Sequence, residues 1–131
     1  MFSEIIKPRF SDTDALGHIG NTAIPVWFEG ARDPVFKMLS PTLDLQKWPI
    51  ILAKTEIEFH AQLFYGQDIE VRTYLAKVGN ASFHVYQEVW QQEIKCASGT
   101  ATMVYFCYDM QKSKPIPDDI RNKLTEHLYQ A

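Results

Sequence analysis

Cysteine is scarce in this sequence: the 131 residues include only Cys96 and Cys107, with no CxxC motif and no Cys/His cluster beside them. So few cysteines provide no disulfide framework, and the missing cluster argues against a metal site built on such ligands. We therefore expect both cysteines to be reduced thiols in the core, as is typical of a cytoplasmic protein.

Long apolar runs are also missing. No stretch approaches the roughly 18 apolar residues that a membrane-spanning helix needs. The start of the chain, MFSEIIKPRF, lacks a basic segment followed by a long apolar one, so no secretory signal is predicted. These two absences predict a protein with no membrane partner.

An excess of positive charge is absent as well. The sequence has 13 Lys and Arg residues against 16 Asp and Glu residues, a net charge of −3. This is not the basic footprint of a nucleic-acid binder, so no nucleic-acid partner is expected. What the sequence does contain is 46% apolar, 22% charged and 13% aromatic residues, a globular composition with enough bulk for a core. Residues 1–131 are predicted to form a single domain.

The spacing of apolar residues predicts one long helix over residues 22–39. Thr22 is the preferred N-cap, which puts Pro25 at the third helical position, where its missing N–H costs nothing. Pro34 predicts a kink, because its ring presses on the carbonyl one turn earlier. A last helix is expected after Pro117. The apolar stripe of the long helix consists of Ile24, Trp27, Phe28, Ala31, Val35 and Met38.

The remaining elements are predicted to be strands. Residues 2–10 are short and mixed, and Pro8 interrupts them, so they indicate an edge strand. Between Pro49 and Tyr108, alternating apolar and polar residues predict four strands joined by short turns, the fourth beginning at Thr100. Four such strands in a row predict an antiparallel meander whose apolar face the long helix covers. The expected class is α+β.

A polar loop, residues 9–21, precedes the long helix and carries the most informative side chains. It places Asp12, Asp14, His18 and Asn21 around a glycine-bearing turn. The start of a helix offers unpaired backbone N–H groups and the positive end of the helix dipole, which polarise a carbonyl oxygen. A carboxylate beside them can activate a water or attack the carbonyl directly. Together these groups are the parts that thioester hydrolysis needs.

This segment resembles the signature of hotdog-fold acyl-CoA thioesterases of the 4-hydroxybenzoyl-CoA thioesterase type. Members of that family read roughly D-x-D-x-x-G-H-x-N-N, followed by an aromatic helix and then E-x-A-R. The matching residues here are Asp12, Asp14, Gly17, His18, Asn21, Trp27, Phe28, Glu29, Ala31 and Arg32. Gly20, Ile24 and Gln62 stand where the family has Asn, Tyr and Pro. These departures affect the shape of the acyl pocket more than the chemistry.

The resemblance implies a curved sheet of five or six strands wrapped around one long helix, the hotdog fold. It also implies homodimers whose sheets join edge to edge, often paired into homotetramers, with the thioester at the dimer interface beside the helix N-terminus. Catalysis falls to the second aspartate of the motif, Asp14, whereas another branch of the family uses a helix glutamate, at the position of Glu29 here. The substrate-binding candidates are His18, Gly20, Asn21 and Trp27.

The expected reaction is hydrolysis of an acyl-CoA to the free acid and coenzyme A, with Asp14 as general base or nucleophile. No metal ion or organic cofactor is expected to take part. Hydrolysis of an acyl-carrier-protein thioester and acyl-CoA binding without turnover are the alternatives. A hotdog dehydratase or hydratase is disfavoured, because the differently spaced histidine motif of those enzymes is not found.

Overall fold

The structure, a computed structural model, describes residues 1–129. Within these residues it has six strands and three α-helices. The strands are β1 (Phe2–Ile6), β2 (Ile50–Phe59), β3 (Ile69–Val78), β4 (Ser82–Gln91), β5 (Ile94–Cys107) and β6 (Lys112–Ser113). The helices are α1 (Ala23–Ala31), α2 (Asp33–Leu39) and α3 (Asp118–Thr125). Short 3-10 turns lie at Phe10–Asp12 and Leu45–Lys47.

All strand pairs of the sheet are antiparallel, in the order β1-β3-β4-β5-β2, and β6 pairs with the end of β5. The sheet curls into a half-barrel around the 17 residues that α1 and α2 span together. This is the hotdog fold, and the α+β prediction is confirmed. β1 lies at one edge of the sheet, as expected, and ends at Ile6 before Pro8.

The predicted meander of four strands is wrong in one respect, since β2 pairs with β5 and not with β3. The lengths of the links explain the difference. β3, β4 and β5 are joined by links of three and two residues, which force neighbours to pair as hairpins. The link from β2 to β3 has nine residues (60–68), long enough for the chain to cross to the other edge of the sheet. The true meander therefore contains β3, β4 and β5 only.

β5 is also longer than predicted, because it begins at Ile94 and not at Thr100. Gln92 and Glu93 both have positive φ, 48° and 64°, which makes a two-residue turn whose twist matches that of the flanking strands. Pairing therefore starts at once, with Gln91 opposite Ile94.

The long helix is interrupted at one residue, Arg32, between α1 and α2, which confirms the kink expected from Pro34. Pro34 lies in the first turn of α2, where its missing N–H is tolerated. Pro25 occupies the third position of α1, as predicted. The last helix, α3, follows Pro117 as expected and ends at Thr125.

Two apolar clusters fill the space between helix and sheet. The first joins α1 to the halves of β3, β4 and β5 that lie near the N-terminus of α1, through Ile24, Trp27, Phe28, Val71, Val89 and Ala97 among others. The second joins α2 and α3 to the other halves of the same strands, through Val35, Leu39, Leu75, Phe83, Val85 and Leu124 among others. The helix thus covers the sheet from end to end, and its N-terminus opens toward the loop of residues 9–21.

Candidate active site

A cavity of about 700 Å³ lies where this loop meets the start of α1. Three distant parts of the chain supply its walls: the loop with the first turn of α1, the end of β2 with its following link, and the first part of β5. The polar lining includes Asp12, Asp14, His18, Gly20, Asn21 and Thr22, and the apolar lining includes Ile19, Ile24, Phe59, Leu63, Cys96 and Ala97. The cavity therefore joins a polar mouth to an apolar wall.

Asp14 is held by its own loop. Its Oδ1 accepts hydrogen bonds from the backbone N–H groups of Leu16 at 2.8 Å and His18 at 3.2 Å. Its backbone N–H donates to the His18 carbonyl at 2.7 Å, and Gly17, at a φ of 83°, closes the turn between them. Only glycine adopts this backbone conformation at little cost. No donor within residues 1–129 reaches Oδ2, so one carboxylate oxygen is fixed and the other has no protein partner.

Asp12 makes contacts within the loop that hold its two ends together. Its Oδ2 accepts from the backbone N–H of Arg9 at 2.7 Å, and its Oδ1 lies 3.3 Å from the Arg9 guanidinium. Its backbone carbonyl accepts from the N–H of Gly20 at 2.8 Å. Asp12 therefore ties the two ends of the loop together, and both of its carboxylate oxygens have partners.

The first turn of α1 presents unused donors to the cavity. The N–H of Ala23 donates to the Gly20 carbonyl at 3.1 Å, whereas those of Asn21, Thr22 and Ile24 have no protein acceptor within residues 1–129. Thr22 is the N-cap, as predicted, but its hydroxyl does not cap the helix. Asn21, Thr22 and Ile24 all line the cavity, so the positive end of the helix dipole faces it.

The six predicted site residues do not all line the same cavity. Asp14, His18, Gly20 and Asn21 line the same cavity, and the His18 ring packs edge-on against Phe64 at 5.5 Å between ring centroids. Trp27 is 6% exposed and lies in the first apolar cluster, beneath the cavity and outside its lining. Glu29 is exposed and lines a separate cavity with Arg32. Within one chain, the two carboxylate candidates therefore belong to different cavities.

The apolar wall of the cavity was missed from the sequence. Phe59, Leu63 and Cys96 lie far along the chain from Asp14, and no local spacing connects them with the loop. The connection is made in the fold, where the N–H of Ile19 donates to the Leu63 carbonyl at 3.0 Å. The mismatch at Gln62 with the family's turn pattern was the one sequence signal near this wall.

Three further findings concern metal ions, membranes and the two cysteines. In the described part of the chain, no three His, Cys, Asp or Glu side chains lie close enough together to hold a metal ion. No helix among residues 1–129 has the length and apolar character needed to cross a bilayer. Cys96 and Cys107 are both free thiols, the first buried and the second half-buried.

A curled sheet around a central helix, with an aspartate loop at the helix N-terminus, defines a hotdog-fold protein of the thioesterase class. Comparison with known families agrees, since the thioesterase-like superfamily matches residues 8–124. The chain belongs to this superfamily, and the prediction of a thioester hydrolase is confirmed at that level.

Individual relatives extend the match over the whole chain. A predicted thioesterase from Bacillus stearothermophilus is 42% identical, with a TM-score of 0.96 over 99% of this chain and 98% of that one. YsmA of Bacillus subtilis (strain 168) is 24% identical over 125 residues, 94% of this chain and 84% of the relative. A thioesterase from Thermus thermophilus, solved with coenzyme A and Zn, is 22% identical, with a TM-score of 0.85 over 98% of this chain and 95% of that one.

Proposed function

We propose that this protein is an acyl-CoA thioesterase that hydrolyses an acyl-CoA to the free acid and coenzyme A. One observation carries the proposal: Asp14, with Oδ1 fixed and Oδ2 unused, lines the same cavity as the unpaired N–H groups of the first turn of α1. Membership of the thioesterase-like superfamily supports the reaction class. The coenzyme A bound to the Thermus thermophilus relative supports the choice of thioester.

The proposed reaction uses both features at once. The thioester carbonyl oxygen accepts hydrogen bonds from the N–H groups of Asn21, Thr22 or Ile24, which stabilise the negative charge that develops as the carbonyl carbon is attacked. Asp14 Oδ2 either takes the proton of the attacking water or attacks the carbon itself. The carbon–sulfur bond then breaks, and the coenzyme A thiolate leaves and takes up a proton. In the first route this step also yields the free acid. In the second route the acyl group stays on Asp14 as an anhydride, and its hydrolysis by water releases the acid and restores the carboxylate.

The other predicted residues take supporting roles. We assign His18, Gly20 and Asn21 to substrate binding, because they share the cavity with Asp14. Trp27 lies outside the lining and would act through the first apolar cluster, which it shares with the lining residues Ile24 and Leu63. Glu29 stays the alternative carboxylate.

The test is release of free thiol from a panel of acyl-CoAs by the wild type, Asp14→Asn and Glu29→Gln. General acid–base groups contribute about 10²–10⁴-fold, so Asp14→Asn should lower kcat by at least about 100-fold. Glu29→Gln tests the alternative carboxylate, because it removes the negative charge of Glu29 from α1 without touching the loop. Loss of activity with Glu29→Gln alone would move the catalytic role into the helix.

Two further outcomes separate the alternatives. Faster turnover of acyl-carrier-protein thioesters than of acyl-CoAs would change the substrate but keep the reaction. Binding of acyl-CoA without cleavage of any thioester would identify a non-enzymatic acyl-CoA-binding protein and contradict the proposal. A burst of thiol release equal to the enzyme concentration would favour attack by Asp14 over activation of water.

We also propose that the protein forms a homodimer, alone or within a homotetramer, through the free edge of β2. β2 is an edge strand, almost all of its central residues are exposed, and it carries the exposed apolar side chains of Leu52 and Phe59. A long exposed edge of this kind is a template for pairing with another chain. Sedimentation velocity should give a species of at least twice the 15.1 kDa of the chain. A monomer at micromolar concentration would contradict this proposal.

The remaining expectations are proposals of the same kind. We propose that residues 1–131 form one domain and that the protein is cytoplasmic. Its two unpaired thiols support a reducing compartment.

A further inference from the structure

The link between β2 and β3, residues 60–68, forms one wall of the Asp14 cavity and contains no helix or strand. Its first two N–H groups donate to the Cys96 carbonyl of β5, at 2.8 and 3.1 Å. The rest of the link is not part of the sheet, so its backbone N–H and C=O groups need other partners. A side chain of β4 supplies several of them.

That side chain belongs to Gln91, the last residue of β4, which is only 4% exposed. Its Oε1 accepts from the N–H of Phe64 at 2.9 Å. Its Nε2 donates to the Phe64 carbonyl at 2.9 Å and to the Gln67 carbonyl at 3.2 Å. A primary amide has one acceptor oxygen and two N–H donors, and each of the three has a partner here. Gln91 therefore binds the backbone of Phe64 on both sides, as a neighbouring strand would.

The link in turn contacts the loop that carries Asp14. The N–H of Ile19 donates at 3.0 Å to the carbonyl of Leu63, the residue before Phe64. Across the loop, Ile19 pairs with Thr13, which immediately precedes Asp14. A shift of Leu63 would therefore move the part of the loop that carries the carboxylate.

A second contact between link and loop runs through side chains. The Phe64 ring packs edge-on against the His18 ring, at 5.5 Å between ring centroids. The His18 backbone holds Asp14 twice: its N–H donates to Asp14 Oδ1 at 3.2 Å, and its carbonyl accepts from the Asp14 N–H at 2.7 Å. Because Gln91 holds the backbone of Phe64, both contacts depend on the same buried amide.

We propose that Gln91 is a positioning residue for the hydrolysis: it fixes the β2–β3 link and, through that link, sets the place of Asp14 and His18 in the cavity. The inference rests on the proposed function, although the contacts do not. Gln91 does not line the cavity, so it acts only through the residues that it holds. A misplacement of about 1 Å at a reacting group can cost about 10²-fold in rate, so such a residue has a large effect.

The test is Gln91→Met, which keeps an unbranched side chain of similar length and removes all three hydrogen bonds. The kcat for acyl-CoA hydrolysis should fall about tenfold or more, because Asp14 is no longer held in place. KM should change by less than about threefold, because no residue of the cavity lining is replaced. Thermal unfolding checks that the variant is folded.

Two readouts report the position of the loop without any substrate. Loss of the three hydrogen bonds should speed hydrogen exchange at the Ile19 amide by about tenfold or more, because its acceptor on Leu63 is no longer fixed. It should also move the NMR signal of the His18 ring, which lies against the Phe64 ring. A general loss of stability would not move the His18 signal of the folded protein.

Arg121→Met is the matched control, because Arg121 also fastens a link between two strands. Its guanidinium donates to the Gly79 carbonyl at 2.5 Å and to the Asn80 carbonyl at 3.1 Å. These residues join β3 to β4 beside the second apolar cluster, at the end of the sheet away from Asp14. Arg121→Met should lower stability and leave kcat and the His18 signal unchanged.

Two outcomes would overturn the proposal: a folded Gln91→Met with the kcat and His18 signal of the wild type, or an equal loss of kcat in Arg121→Met. If Gln91→Met does not fold, Phe64→Leu decides the question. It replaces a side chain of a residue that is 47% exposed, keeps the backbone groups that Gln91 binds and removes the ring contact with His18. An unchanged kcat and His18 signal in Phe64→Leu would contradict the inference.

Failure of the proposed function gives a different result. If the wild type cleaves no thioester, the hydrolysis is refuted by that observation alone. The exchange of the Ile19 amide and the His18 signal then still show whether Gln91 holds the loop, since neither measurement needs a substrate.

Discussion

Gly99 in β5 and Gly30 in α1 show how differently two glycines of one fold can respond to the same added methyl group. A Cβ at Gly99 would lie 2.9 Å from the Glu56 carbonyl oxygen and 2.9 Å from Phe28 Cε2. Real Cβ contacts are longer, so the bare backbone at Gly99 is what lets the Phe28 ring pack against the sheet. A Cβ at Gly30 would meet nothing within 4 Å.

We therefore expect Gly99→Ala and Gly30→Ala to change the free energy of unfolding in opposite directions. Gly99→Ala should destabilise the protein by about 1–3 kcal/mol, the usual cost of overpacking. Gly30→Ala should stabilise it by about 0.5–1 kcal/mol, because alanine loses less backbone entropy in a helix. Urea unfolding of the two variants beside the wild type measures both. Equal effects of the two changes would mean that Phe28 does not press on β5 as described.

The residues that form the loop part of the candidate site could be identified from the sequence because they are local. Asp14, His18, Gly20 and Asn21 lie within one turn and one helix start, so spacing alone brings them together. Arg32 matches the E-x-A-R motif, but the motif does not show that the side chain is buried. Its Nη1 donates to Gln87, which lies far along the chain. No local pattern reports such a pairing.

At the scale of elements, the interruption between α1 and α2 leaves helix carbonyls without their usual partners, and two strands supply replacements. The Phe28 carbonyl accepts from Gln87 Nε2 at 2.8 Å, and the Ala31 carbonyl accepts from Thr73 Oγ1 at 3.4 Å. Gln87 Nε2 also reaches Thr73 Oγ1 at 3.1 Å, so the two side chains act as one buried network. This network attaches the kink to the middle of the sheet.

Gln87→Leu should therefore be costly although leucine has a similar size. It leaves the Phe28 carbonyl and the Arg32 Nη1 buried without partners, at about 1–3 kcal/mol for each group, so a loss of roughly 2–6 kcal/mol is expected. Gln67→Leu is the matched control, since Gln67 is exposed and its side chain makes no hydrogen bond within residues 1–129. Its effect should stay within about 0.5 kcal/mol. Chemical denaturation checks both, and a small effect at Gln87 would contradict the role given to the network.

The types of most elements could be predicted, but not the place of every strand. Periodicity located the helices and four of the longer strands, because it reflects which face of each element is buried. The partner of β2 could not be predicted this way, since the alternation in β2 is the same whether it pairs with β3 or with β5. The extra length of β5 depends on Gln92 and Glu93 adopting positive φ, which neither residue type favours.

At the scale of the whole molecule, the two ends of the described chain meet on β3. β1 pairs with one edge of β3, and the segment after α3 contacts Leu75, whose N–H donates to the His127 carbonyl at 3.0 Å. The His127 ring stacks on Phe2 at 4.4 Å between ring centroids, and its Nδ1 lies 3.5 Å from the N-terminal ammonium of Met1. The contact between the two ends of the described chain therefore includes an ionisable side chain, that of His127.

This contact predicts how stability depends on pH. Burial lowers the pKa of His127 below its usual value of 6.5, the N-terminal ammonium lowers it further, and Glu126 opposes both. Because the folded state binds the proton less tightly than the unfolded state, the contribution of His127 is fully present above pH 6.5 and is lost as pH falls toward the lower folded pKa. Acidification should therefore loosen the contact between the two chain ends.

His127→Phe isolates this effect, because it keeps a ring against Phe2 and removes the titration. The free energy of unfolding of the wild type, relative to that of His127→Phe, should fall as pH is lowered from about 7.5 to about 5, whereas other titrating groups affect both proteins alike. Urea unfolding across that range measures the difference. A constant difference, or one that grows on acidification, would mean that His127 is not held neutral by its surroundings, and the ends of the chain would then be joined by apolar contact alone.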